Sequence, residues 1–306
     1  MSETILLRDD LDTSIRLRWE LTDARNLSSV RWLSSRARRD PRELSTTECK
    51  ALIDEFGRVG VSYADISGGE PTVREDFWDL LDHATDRRLS VGFCTSGIRI
   101  TPAAAAAIAT SGCVDVRIAL DEPTEAANDA VGGPGAYRAA VRAMELLASS
   151  GVYDFELSVV ATRHNVGRLD AFLAIADLFG ARLRLSLPRP SARGVDGVSE
   201  EHLLPEHHRD LYRWLRDRGG QVRTGDWFVP LFGDSAPVLG SAVSDADGVA
   251  CLVDPIGDVY IRPPLGYADL RAGNVRAPGG FERVWRGSAD RSRHDAQLAD
   301  DLRACS

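Results

Sequence analysis

Ser67-Gly68-Gly69-Glu70-Pro71 places two glycines, which let a backbone come close to a ligand, before a carboxylate and a rigid proline. Further along, Thr95-Ser96-Gly97 offers two hydroxyls beside an open backbone. Asp121 offers a second carboxylate, Arg163-His164-Asn165 a mixed polar triplet, and Arg189, Ser191 and Arg193 two guanidinium groups around a hydroxyl. A glycine-rich turn with one glutamate is common and says little alone. What is specific is that each cluster follows an apolar, strand-like run. Polar groups from five successive strand ends would converge on one mouth, which is more specific than any single loop.

The elements that must position these groups alternate. Strand patterns at Arg16–Leu21, Ser62–Ser67, Leu89–Thr95, Val114–Leu120, Asp154–Ala161 and Ala181–Leu187 are followed by helical patterns. The helices fall at Thr46–Val59, Glu75–Arg87, Pro102–Ser111, Ala136–Ser149, Leu169–Phe179 and Glu206–Arg218. Ser45, with Glu48 three residues on, is a capping-box candidate for the first helix. Six strand–helix units predict an α/β fold with a parallel sheet, either open and doubly wound or an incomplete barrel. Periodicity does not choose between these, but both put chemistry in the loops at the strand C-termini. After Gly219 the pattern changes. A turn-rich stretch leads to a β-hairpin in "CLVDPIGDVYIRPPLG" and a polar tail with one amphipathic piece around Phe281–Trp285. The predicted division is therefore residues 1–218 and a smaller module, residues 219–306.

Composition narrows the classes. The chain has 306 residues, 43% of them hydrophobic, enough for one large core and an appendage. Its net charge of -9 argues against general nucleic-acid binding. No apolar run approaches a membrane span, and the start, MSETILLRDD, has no secretory pattern, so the expected location is the cytoplasm. The five cysteines, Cys49, Cys94, Cys113, Cys251 and Cys305, form no closely spaced pair. That argues against a disulfide scaffold or a zinc knuckle, and Cys49 and Cys113 read as inert thiols.

Several of these stretches together resemble the radical S-adenosylmethionine (radical SAM) family, in its subfamily with a C-terminal SPASM or twitch extension. "LTDARNLSSVRW" resembles that family's first loop, roughly L-T-x-x-C-N-L-x-C-x-x-C, and "ISGGEPTVREDFWDLL" resembles its GGEP motif. "GFCTSG", "RIALDEPTEAANDAVGGPGAY" and "TRHNV" resemble its third, fourth and fifth strand ends. "LVDPIGDVYIRPPLGYADLRAGNVR" resembles its C-terminal cluster domain. The resemblance covers roughly residues 14–305 and implies a partial (β/α)6 TIM-like barrel with a small C-terminal SPASM/twitch-like module. It also implies SAM as cofactor, and a peptide or amino-acid-derived natural product as substrate.

One departure is plain in the letters. Aligned on the family's C-N-L, Arg25, Ser29 and Trp32 stand where three cluster-binding cysteines belong, and Arg262 stands at a further cysteine position. Cys251 and Cys305 keep family-like positions. Arginine, serine and tryptophan do not hold a [4Fe–4S] cluster. The expectation drawn here is a degenerate, cluster-free, metal-free protein that still binds SAM. Arg25 would pair with the SAM carboxylate and Glu70 would take its ammonium, while Trp32 would stack on the sulfonium or adenine. Ser67, Gly68, Gly69, Pro71, Thr95, Ser96, Asp121, Asn165 and Arg189 complete the expected cofactor site. The expected activity is non-radical, polar SAM chemistry, a group transfer or cyclisation, on a small-molecule or peptide substrate. The alternative is a non-catalytic pseudoenzyme that binds a substrate peptide, a genuine radical SAM protein or another biosynthetic protein. Neither nucleic acid nor membrane is an expected partner.

Overall fold

Why the chain folds as alternating units is visible in its first strand. The computed structural model describes residues 15–25, 39–188, 202–218, 221–224, 249–261 and 271–287. In β1 (Ile15–Thr22), Leu17, Trp19 and Leu21 are buried while Arg16, Arg18 and Glu20 occupy the alternate positions. This period of two gives the strand one apolar and one charged face. The apolar face packs under α1 (Thr46–Arg58), which buries Cys49, Leu52, Ile53 and Phe56 at helical spacing. Trp19 meets Phe56 edge-on at 5.7 Å between centroids, and Phe56 meets Phe281 at 5.0 Å. The amphipathic piece near Phe281 is helical over 280–287 and closes this corner. Ser45 caps α1, and both arms of the capping box with Glu48 are present.

The units continue with β2 (Val61–Gly68), α2 (Phe77–Asp86), β3 (Ser90–Thr95), α3 (Pro102–Ser111) and β4 (Val114–Ala119). Then come α4 (Glu125–Gly132), α5 (Ala136–Ser149), β5 (Glu156–Val160), α6 (Leu169–Phe179), β6 (Arg182–Ser186) and α7 (Pro205–Arg218). β1 to β6 pair in sequence order, all parallel, so the six expected units form one α/β sheet with a helical layer. Four short strands extend it. β7 (Val222–Thr224) pairs with β6, β8 (Val249–Val253) runs parallel to β1, and β9 (Asp258–Ile261) and β10 (Arg271–Asn274) follow antiparallel. The sheet order is β10-β9-β8-β1-β2-β3-β4-β5-β6-β7, so the hairpin joins the sheet at β1. Among the described residues no helix is long and apolar enough to cross a membrane.

The face away from the helices is charged, and its charges pair across strands. Asp65 on β2 bonds Arg18 on β1 at 3.3 Å and also Arg117 on β4. Reaching β4 requires passing over β3 at Gly92, where an added Cβ would lie 1.9 Å from the Tyr63 hydroxyl. Burial alone would lower the Arg117 pKa, but the groups around it, Asp65 foremost, together outweigh it and raise it. Glu156 on β5 likewise holds Arg184 at 3.4 Å and Arg223 of β7 at 2.8 Å.

A second, partly buried pair ties the helical layer together. Asp76, at the start of α2, accepts from Arg74 through both its oxygens, at 2.9 and 2.7 Å, and from the Thr46 hydroxyl of α1 at 2.7 Å. Burial pushes this carboxyl up, but the hydrogen bonds from Arg74 and Thr46 outweigh it and hold it at about 2, below the ordinary 3.8. A depressed folded pKa contributes stability that is present above about pH 4 and lost as pH falls toward 2. Denaturant unfolding should therefore find Asp76→Asn less stable than wild type at neutral pH by about 2 kcal/mol, with the gap closing between about pH 4 and 2. A gap that stays constant across that range contradicts the pairing.

Candidate functional site

The loop after β2 is built against the end of β1. Gly68 has φ +106, and an added Cβ would stand 2.5 Å from the Thr22 carbonyl oxygen; at Gly69 it would stand 2.0 Å from that of Ala24. Both distances are shorter than real contacts, so both positions require glycine. Gly69 N–H donates to Thr22 O at 2.6 Å, and Glu70 N–H to Ala24 O at 2.8 Å. The glycines expected to admit a ligand thus first admit the neighbouring strand end. Pro71 opens a short 3-10 turn, Pro71–Val73, and Glu70 is its N-cap.

Glu70 is buried, with 6% of its surface exposed. A buried carboxylate is costly unless hydrogen-bonded, and here donors come from two loops. Oε1 accepts from the Thr72 N–H at 3.3 Å, the Thr72 hydroxyl at 2.6 Å and the Thr95 hydroxyl at 2.7 Å. Oε2 accepts from the Ser96 N–H at 2.7 Å. Thr95 Oγ1 also accepts from Gly97 N–H at 3.1 Å, which fixes the turn after β3. A carboxylate has about four lone-pair sites, so Oε2 retains capacity for a further donor.

Arg25 lies just beyond β1 within the electrostatic reach of Asp23, Glu20 and Glu70; burial lowers its pKa against their attraction. Arg25, Ser67, Gly68, Gly69, Glu70, Pro71, Thr95 and Ser96 therefore gather at the ends of β1, β2 and β3. Among the described residues, the buried hydroxyl oxygen of Ser67 has no hydrogen-bond partner.

The other expected residues play different parts. Asp121 follows β4, and its backbone is held from both sides: its N–H donates to Asn128 Oδ1 at 3.0 Å, and its carbonyl accepts from Asn165 Nδ2 at 2.9 Å. Asn165 is fully buried; its amide also donates to Val160 O and accepts from Thr162 N–H. With both N–H groups committed, Asn165 ties the β4 and β5 loops together. Trp32 and Arg189, with Ser29 and Arg262, lie outside the described residues.

Sequence reasoning passed over Thr72 and Asn128, and also Glu43 and Arg74. Thr72 stands two residues after Glu70, the spacing at which a side-chain oxygen reaches backbone and hydroxyl, so its signal was present. Asn128 sits in α4, a short helix of weak periodicity that no pattern marked.

The four described cysteines lie apart in the chain: Cys49 on α1, Cys94 on β3, Cys113 in the turn before β4 and Cys251 on β8. Burial pushes the thiols of Cys49 and Cys251 up to about 12 and that of Cys94 to about 11. Among the described residues no three His, Cys, Asp or Glu side chains are grouped to hold a metal ion. The described residues thus do not make up a cluster's thiolate ligand set.

Comparison with known proteins gives the site its family. The model of the radical SAM superfamily matches residues 24–168. The chain is 50% identical over 278 residues to the mycofactocin maturase MftC of Mycobacterium ulcerans, covering 90% of this chain and 75% of that protein. In fold it matches Streptococcus suis SuiB bound to the precursor peptide SuiA at a TM-score of 0.71 and 14% identity. That match covers 89% of this chain and 64% of SuiB, under two thirds of the longer protein. SuiB bound to S-adenosylmethionine matches at 0.69 and 16%.

These findings correct the functional expectation. A protein half identical to maturases of this superfamily is not read as a degenerate, cluster-free catalyst of polar SAM chemistry, nor as a non-catalytic partner. The absence of cysteine at positions 25, 29 and 32 is a fact of the sequence, but the conclusion that no iron–sulfur cluster is to be expected is withdrawn, since the superfamily works with SAM and such clusters. With a relative this similar over this much of its length, the chain belongs to the radical SAM superfamily.

Proposed function

We propose that this protein binds SAM at the C-terminal ends of β1, β2 and β3 and takes part in the maturation of a peptide. The observation that carries the reading is Glu70, a buried carboxylate fixed by donors from two loops with lone-pair capacity left on Oε2. Its fixed charge suits the SAM ammonium. Arg25, in the same electrostatic neighbourhood, suits the SAM carboxylate. Thr95 and Ser96 hold Glu70 from the β3 loop, so the ammonium would meet an acceptor already oriented. Asp121, positioned through Asn128 and Asn165, lies on the next loop, where a nucleoside hydroxyl or the peptide would come.

Support for the peptide comes from the relatives: MftC is named a maturase, and SuiB is described with a precursor peptide. Residues 219–306 are read as a SPASM/twitch-type module, a reading supported by the hairpin and by Asn274, which donates to Ile256 O at 3.1 Å and Asp258 at 2.6 Å.

Calorimetry with SAM tests the cofactor site. Losing a charged hydrogen bond in a closed site costs about 2–5 kcal/mol, so Glu70→Gln or Arg25→Ala should weaken SAM binding well beyond tenfold. Circular dichroism and melting must first establish that each variant folds. No heat of binding from wild type near millimolar SAM removes the proposal. Tight binding that neither substitution alters keeps the pocket but removes these two roles.

The Thr95 hydroxyl gives a finer test. Thr95→Val keeps the shape but strips a donor from Glu70 and an acceptor from Gly97, so SAM affinity should fall by about three- to tenfold. Thr110→Val, on the exposed end of α3, should change nothing. Equal affinities for the two variants would show that Thr95 does not orient the acceptor.

A further inference from the structure

Glu43 is a buried carboxylate to which the functional reading gives no part. Its side chain has 0% exposure, and that of its neighbour Arg74 has 1%. Glu43 Oε1 accepts from the Thr22 hydroxyl at 3.0 Å and the Asp23 N–H at 2.9 Å, both at the end of β1. It also lies 3.4 Å from the Asp40 N–H, while Oε2 accepts from Arg39 at 3.1 Å and faces Arg74 at 3.9 Å. Arg74 donates to the carbonyls of Leu21 at 3.3 Å and Leu44 at 3.0 Å. One buried ion pair therefore grips the end of β1 and the segment leading into α1.

The gripped residues are those against which the SAM site is built. Thr22 Oγ1, which donates to Glu43, accepts from Ala24 N–H at 3.1 Å. The carbonyls of Thr22 and Ala24 in turn receive Gly69 and Glu70. The backbones meet so closely at Gly68 and Gly69 that a methyl group does not fit, so a shift of residues 22–24 passes directly to Glu70.

We infer that Glu43, paired with Arg74, is a positioning residue for SAM binding: it sets the backbone of residues 22–24 and through it the carboxylate of Glu70. This rests on the SAM site proposed above. Glutamine at position 43 keeps the shape but has one acceptor end and one donor end. Whichever way the amide turns, its NH2 group meets donors, either Thr22 and Asp23 or Arg39 and Arg74.

A double-mutant cycle read by calorimetry with SAM separates positioning from general support. Glu43→Gln should weaken SAM binding by about tenfold when Glu70 is present, and by less than about twofold in a Glu70→Gln background. Leu215→Ala, in α7 far from the site, should lower the melting temperature and leave SAM affinity unchanged. If Glu43→Gln does not fold, Thr22→Val removes one partner of the same carboxylate and goes through the same cycle. Wild-type affinity in Glu43→Gln, or equal losses in both backgrounds, overturns this inference and leaves the SAM site standing. A wild-type protein that does not bind SAM overturns both.

Discussion

A carboxylate taken out of water must be met by donors, and in this protein the demand falls on Glu70. Thr72 answers it from the same turn and Thr95 and Ser96 from the next loop, so the ends of β2 and β3 are fixed relative to each other. The backbone N–H of Glu70 goes to Ala24, which brings in the end of β1. Three strand ends thus converge on one residue. The glycines at 68 and 69 follow from this constraint, because any side chain there would push β1 and β2 apart. The same residue that organises the loops offers the remaining lone-pair capacity, which is why structure and proposed binding cannot be separated at this point.

The sheet behind the site solves a different problem. One face of each strand feeds the apolar layer under the helices; the other carries Arg18, Asp65, Arg117, Glu156 and Arg184. Charges in such a setting persist only in pairs. Asp65 serves two arginines on β1 and β4, and Glu156 serves two on β6 and β7. These bridges run across strands rather than along them, so they hold the sheet in register below the mouth where the loops meet. The hairpin β8–β9 extends the sheet beyond β1, and Arg276 fastens the chain after β10 to Glu48 of α1 at 2.6 Å. The C-terminal segment is therefore anchored near the residues that lead into the site.

Much of this was legible in the letters. The alternation in β1, the capping box at Ser45 and Glu48, the helical spacing of α1, α5 and α6 and the alanine run of α3 each encode a local preference that tertiary packing reinforces. β7 has three residues, too few to show a period, and α4 has a buried asparagine where an apolar residue would have marked the face. The site was legible where a motif is contiguous, as in residues 67–71. It was not legible where one side chain reaches across the fold, as Asn165 does to Asp121 or Glu43 to Thr22. The three cysteine replacements at 25, 29 and 32 were read correctly as letters but carried too far as function, because a missing ligand type in one loop says less than half the residues shared with the maturases.

The central claim is that Glu70 receives the ammonium of SAM at the ends of β1, β2 and β3. A crystal structure of the protein with SAM tests it directly. The account predicts the amino nitrogen of SAM at hydrogen-bond distance, about 2.7–3.1 Å, from Oε2 of Glu70, with the Thr95 and Ser96 bonds to Glu70 intact. SAM bound elsewhere, or bound at these strand ends with its ammonium on other acceptors and Glu70 untouched, would contradict it.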